Sequence, residues 1–215
     1  MREEFLKRLI SSLVLISIII FLIIKGTVFL NLFILFCLVI SLYEWHIMKK
    51  DNIYYVAGIV FLFLSFYSVF RLTNLEADYS YFLLILIICI STDMGGYIFG
   101  KILKGKKLTK ISPNKTYSGM LGSFALSLLF SYLFFKLTTF FSYINFNSIN
   151  TIIFILLISL ISQAGDIIIS FFKRKSKIKN TGKIIPGHGG LLDRIDGMIF
   201  AFPFGYLFLS LEILK

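Results

Sequence analysis

Charge is scarce in this chain. Asp, Glu, Lys and Arg make up 15% of its 215 residues, against 58% hydrophobic side chains and a mean hydropathy of +0.89. Soluble domains carry about 25% charged residues, so the composition excludes a water-soluble globular protein and points to one integral membrane domain. Cysteine is almost absent. Cys37 and Cys89 both fall in apolar runs and read as small packing residues, and no CxxC pair is there to hold zinc or a redox disulfide. No HExxH, GxSxG or GxGxxG constellation occurs in a fitting context. The stretch from Gly100 to Lys106 comes near a P-loop, but Lys107 stands where Ser or Thr is needed, and an apolar span precedes it rather than a strand. Acidic residues are also few, 11 against 22 basic ones, which leaves a net charge of +11. In a soluble protein that surplus would suggest nucleic acid. Here the cations alternate with apolar runs, so they mark topology and no nucleic-acid partner is expected.

Long apolar runs are abundant. Seven candidates occupy roughly 9–24, 27–48, 53–70, 79–100, 117–137, 148–173 and 193–213, several of them near the length that crosses about 30 Å of hydrocarbon. The expected fold is therefore all-α: a polytopic integral membrane helical bundle of about seven transmembrane helices, forming a single domain over 1–215. The first run follows Arg2, Lys7 and Arg8 as a signal peptide would, but no small-residue cleavage site follows it, so a retained helix is expected. Basic residues then set the orientation. With the amino terminus and the loops after the second, fourth and sixth runs on one side, 18 of the 22 Lys and Arg fall there; Lys25, Arg71, Lys136 and Lys215 are the remainder. Basic loops face the cytoplasm, which puts the amino terminus and loops 100–116 and 173–193 inside a cell (inner) membrane and the carboxyl terminus outside.

Asp93 and Asp166 read as the acidic residues set inside apolar runs, where an ionisable group is costly and faces a cavity or a partner. Counted back from Lys101 and Lys173, both lie about 10–12 Å from the cytoplasmic ends at 1.5 Å per residue. Asp193 and Asp196 enter the last run from the same side, three apart, on one face if a helix starts there. Four carboxylates at one depth would repel or take up protons, and a divalent cation resolves the conflict. Oxygen donors without nearby cysteine favour magnesium over zinc. Pairing of each Asp with a Lys or Arg, such as Arg194, stays open as the alternative.

The longest polar interval, Ser170 to Asp196, supplies cations at Lys173, Arg174, Lys175, Lys177, Lys179 and Lys183. Gly187, Gly189 and Gly190 would let backbone approach a ligand closely, and His188 between them reads as a substrate contact rather than a metal ligand. A second polar stretch, 111–119, offers Ser112, Asn114, Lys115 and Thr116 before Gly119 opens a helix. Donors there suit an anion, with an ordinary capped turn as the equal alternative.

Together the two polar stretches resemble the phosphatidate cytidylyltransferases, or CDP-diacylglycerol synthases. That family's long signature is matched in register by Ser170, Lys173, Arg174, Lys179, Gly182, Pro186, His188, Gly189, Gly190, Asp193, Arg194 and Asp196. Its shorter elements are matched by Ser112, Pro113, Lys115 and Thr116, by Asp93, Gly95, Gly96 and Tyr97, and by Gly165 and Asp166. Asn180 replaces the family's usual Asp, Ser118 replaces a common Glu, and the chain is shorter than typical members, as if lacking one or more amino-terminal spans. The resemblance implies transfer of CMP from CTP to phosphatidate in the bilayer, giving CDP-diacylglycerol and pyrophosphate. It implies Asp166, Asp193 and Asp196, with Asp93, at magnesium, and Lys173 beside the reacting phosphates. Ser112, Lys115, Thr116, Arg174, Lys179, His188, Gly189, Gly190 and Arg194 would hold substrate. A monovalent cation and a homodimer are left open. Among rival readings, a CDP-alcohol phosphotransferase would require Ala-Arg where Phe200-Ala201 stands. A CTP-dependent polyprenol or phytol kinase is a second. A cation or phosphate transporter would place its carboxylates at the midplane of repeated halves, and no repeat is visible.

Overall fold

A computed structural model describes residues 17–48, 52–75, 79–109, 112, 115–137, 148–184 and 189–211. Hydrocarbon offers backbone groups no partners, so an apolar run satisfies them internally by forming a helix. The described elements are α1 (Thr27–Ile47), α2 (Asn52–Leu75), α3 (Ser80–Leu103), α4 (Tyr117–Leu137), α5 (Ile149–Lys175), α6 (Leu192–Ile195) and α7 (Met198–Ser210). Residues 17–25 are helical as well, and Gly26 at φ 100° separates them from α1. An isolated antiparallel bridge joins Lys107 and Thr116.

Helices α1 to α5 are long and apolar enough to cross a membrane, where the apolar runs suggested seven spans. The first of those runs falls partly outside the described residues. The last does not form one helix. It is broken by a turn at Asp196–Gly197, with the four residues of α6 before it and the 13 of α7 after it. At 1.5 Å per residue α7 extends about 20 Å, short of the hydrocarbon thickness. A local contact accompanies the break: the Gly197 N–H donates to the Asp196 carboxylate at 3.0 Å.

The chain divides into two compact units. The first takes its described residues from Met1–Asn74 and Phe172–Ile195. Gly58 on α2 leaves room for the Trp45 indole of α1, since a Cβ there would come within 2.0 Å of the ring. The indole N–H donates to the Tyr55 carbonyl at 3.1 Å, and the ring meets Phe172 edge-on at 5.2 Å. A second tie joins Asn31 to Thr73 and Asn74 through side-chain hydrogen bonds of 3.3–3.4 Å. Val28, Leu32, Leu35, Phe36 and Val39 leave an exposed apolar flank on α1, as a lipid-facing helix would.

The second unit comprises Leu75–Phe171 and Asp196–Lys215. Apolar side chains gain little from packing together in lipid, so small residues and hydroxyls carry the close contacts. A Cβ on Gly95 of α3 would lie 2.4 Å from the Gly122 carbonyl oxygen of α4. The Thr92 hydroxyl donates to Ser159 at 2.7 Å, and Ser123 donates to the Thr92 carbonyl at 2.7 Å, linking α3, α4 and α5. Helix α7 joins them through Gly205, seated against Ile85 and Ile158, and through Phe202 stacked on Phe82 at 5.5 Å.

Gly95→Ala is expected to destabilise the protein by about 1–3 kcal/mol, since a backbone carbonyl cannot yield as a side chain can. Gly96→Ala, whose new Cβ would meet a single atom, the Ser123 hydroxyl, at 3.0 Å, should cost less than half as much. Unfolding of both variants in detergent measures the difference.

Candidate active site

In the second unit, Asp166 projects from α5 and its carboxylate forms an ion pair with Lys115. Lys115 leads into α4 on a short connection whose backbone is held on both sides. The Leu108 N–H donates to the Lys115 carbonyl at 2.7 Å, and the Tyr117 N–H to the Lys106 carbonyl at 3.1 Å. The lysine ammonium also reaches the Gln163 carbonyl at 3.4 Å, and Ser170 donates to the other Asp166 oxygen at 3.4 Å. The Thr116 hydroxyl accepts the Gly119 N–H at 3.1 Å, so Thr116 caps α4. The capped-turn reading of 111–119 holds for this residue. Ser112 accepts the Lys115 N–H through its carbonyl at 3.1 Å.

Gly165 and Gly197 bring the Asp166 segment of α5 against the Asp196 turn. A Cβ on Gly165 would lie 3.0 Å from the Asp196 carbonyl oxygen, and one on Gly197 would strike the Ser162 hydroxyl at 2.4 Å. Asp196 is only 9% exposed. Asp93, on α3, is exposed.

In the first unit, Asp193 lies at the start of α6 and pairs with Lys173 near the end of α5, Nζ to Oδ1 at 2.8 Å. Its Oδ2 accepts the N–H groups of Thr181 at 2.8 Å and Gly190 at 3.0 Å. Burial would raise the Asp193 pKa, but the Lys173 hydrogen bond, the two backbone donors and the Lys173 charge outweigh it and hold the carboxyl below its ordinary value. Gly189 sits at φ 94°, and a Cβ there would meet Asp193 Oδ2 at 2.7 Å. Here the glycine makes room for a protein carboxylate. Arg174, Lys179, Lys183 and Arg194, on the same polar interval, are exposed. Asn180 lines a cavity of about 670 Å³ with Tyr43, Glu44, Thr181 and Lys183. His188, Pro186, Pro113 and Asn114 lie outside the described residues.

Asp193 and Asp196 do not share one helix, because α6 ends at Ile195. Reading Asp93 and Asp166 as the only acids within apolar runs also missed one. Glu44 lies inside α1, fully buried, and accepts three hydrogen bonds from the polar interval. The available signal was a lone acid in an apolar run, five residues before Lys49. Its place close to the run's polar end masks that signal.

Among the described residues, no three His, Cys, Asp or Glu side chains gather as a metal site. The donor chemistry nevertheless fits magnesium, which takes one or two carboxylates and completes its shell with phosphate and water. Asp166 would have to release Lys115 to serve.

Residues 50–212 match the model of the cytidylyltransferase family, and the chain belongs to that family. Its relatives carry a more particular name. A phosphatidate cytidylyltransferase of Rickettsia typhi is 33% identical over 94% of this chain and 90% of that protein. One of Rickettsia prowazekii is 35% identical over the same shares. One of Bacillus subtilis is 33% identical over 71% of this chain, which spans 56% of that protein's length.

Because Asp193 is held below its ordinary pKa of 3.8, its contribution to stability is present above that pH and is lost as pH falls through 3.8 toward the lower folded value. Melting temperatures in detergent should therefore drop as pH falls below about 4. Asp193→Asn should be less stable near neutral pH and show a shallower acid dependence.

Proposed function

We propose that this chain transfers the cytidylyl group of CTP to phosphatidate, releasing pyrophosphate and leaving CDP-diacylglycerol in the membrane. The observation that carries this is the near end-to-end match with the Rickettsia typhi phosphatidate cytidylyltransferase, over 94% of one chain and 90% of the other. It makes the chain a nucleotidyltransferase of phospholipid synthesis.

In this reaction a phosphatidate oxygen attacks the α-phosphorus of CTP. The bond from that phosphorus to the oxygen bridging to the β-phosphate breaks, and pyrophosphate leaves with the electron pair. The attacking oxygen is already anionic at neutral pH, so no strong base is required. Alignment and charge neutralisation supply the catalysis. Lys115 and Lys173 are the cations we assign to the phosphates, each held ready by a carboxylate. Arg174, Lys179, His188 and Arg194 would add charge around them, while Ser112, Thr116, Gly189 and Gly190 would shape the backbone that meets substrate. Asp166 and Asp196, whose segments approach at Gly165 and Gly197, would hold magnesium; Asp193 and Asp93 are further candidate carboxylates. When bound, the ion would neutralise charge on the triphosphate. We further propose seven spans in a single inner-membrane domain, the last interrupted at the Asp196–Gly197 turn, with the amino terminus and both basic loops in the cytoplasm, on the alternation of 18 of the 22 Lys and Arg.

With purified protein and labelled CTP, product should form only when phosphatidate is added. It should vanish with chelator and return with magnesium or manganese. Asp196→Asn should lose at least about 100-fold in turnover at any magnesium level. Full activity of that variant would remove Asp196 from the site. A reporter fused after Lys215 should lie outside and one inserted near Lys107 inside. Both on one side would break the seven-span topology.

A further inference from the structure

Glu44 has no part in the reaction as derived above, yet its burial is complete and its partners are specific. Its Oε1 accepts the Leu191 N–H at 2.8 Å, and its Oε2 accepts the Leu192 N–H at 2.8 Å and the Thr181 hydroxyl at 2.7 Å. One carboxylate on α1 thus ties Thr181 to Leu191 and Leu192. We propose that Glu44 is a positioning residue for cytidylyl transfer: it clamps Thr181 together with Leu191 and Leu192 and, through Thr181, holds Asp193 and so Lys173 in place for the nucleotide phosphates. The proposal rests on the activity proposed above and deepens it.

Three observations carry it. First, two carboxylates share one set of donors. The N–H of Gly190 goes to Asp193, and the next two, of Leu191 and Leu192, go to Glu44. Thr181 gives its N–H to Asp193, and its hydroxyl lies 2.7 Å from Glu44 and 3.1 Å from Asp193. Displacing Glu44 therefore disturbs donors that also fix Asp193, whose remaining oxygen holds Lys173. Second, the glycines fit the carboxylate. A Cβ on Gly182 would lie 2.7 Å from Glu44 Oε1, and one on Gly190 would lie 2.3 Å from Oε2 and 2.2 Å from the Thr181 hydroxyl. Only glycine lets the backbone close around Glu44 at these points. Third, the clamp stands on fixed ground. Adjacent Trp45 is locked in the Gly58 seat and packs on Phe172, the neighbour of Lys173 in sequence.

A carboxylate is what the geometry requires, because each of its oxygens accepts a backbone N–H. Glutamine of the same size would turn its NH2 toward one of these N–H groups and leave that buried donor unpaired. Glu44→Gln is therefore expected to fold poorly, and Thr181→Val serves as the gentler variant, with Thr181→Ser restoring the hydroxyl.

Two measurements on the full-length protein in detergent decide it. In steady-state kinetics, Thr181→Val should raise the KM for CTP about tenfold while the KM for phosphatidate stays within about twofold, and Thr181→Ser should return both to wild-type values. A Thr181→Val enzyme that merely loses folded protein, with Vmax lowered and both KM values unchanged, overturns the proposal. Amide hydrogen exchange needs no turnover. It should accelerate at Thr181 and Gly190 in Thr181→Val, and at Leu191 and Leu192 as well in any folded Glu44→Gln. Unchanged exchange in Thr181→Val overturns the clamp even if the enzyme is active. A wild-type protein that turns over no CTP while exchange responds overturns the activity and leaves the clamp standing.

Discussion

A carboxylate removed from water must be given donors, and the first unit is arranged around that requirement at Glu44. Burying an ionised group without partners costs many kcal/mol, so a fully buried Glu44 is tolerable only because the polar interval returns to it from two directions. The donors are backbone N–H groups and one hydroxyl, which are short, so the chain has to come close. Gly182 and Gly190 provide that approach. Once the interval is drawn in, Thr181 and Gly190 are also placed to meet Asp193, and Asp193 to meet Lys173.

The second unit meets a related constraint by other means. Its helices cannot rely on the hydrophobic effect in lipid, and they approach through Gly95, Gly122, Gly165, Gly197 and Gly205, with Thr92, Ser123 and Ser159 joined by hydroxyl bonds. That closeness brings the Asp166 segment to the Asp196 turn and leaves Lys115 to balance the Asp166 charge. In each unit a lysine is paired with an aspartate, Lys115 with Asp166 and Lys173 with Asp193. Ion pairs of this kind suit a reaction whose substrates are polyanions. In each pair the carboxylate keeps the ammonium oriented.

The helical class was legible because hydropathy alone requires it: runs of about twenty apolar residues have few other stable structures in hydrocarbon. Five of the runs are helices of membrane-crossing length. The break in the last run was not legible, since Leu192 to Ser210 remains apolar enough to read as one helix, and the interruption depends on a turn local to Asp196 and Gly197. The family was legible because its signature is a fixed spacing of polar residues in a chain that has few of them.

What the sequence by itself determined is therefore the medium, the helices and the membership of a family. Each follows from composition or from spacing along one chain. Only the tertiary structure decided what the polar residues touch. Asp166 and Asp193 each pair with a lysine remote in sequence, and the glycines at 182, 189 and 190 yield space to Glu44 and Asp193. Glu44 lies 137 residues from Thr181 and 147 from Leu191. No periodicity records a contact of that range, because it exists only once the chain has folded back to supply a buried charge with donors.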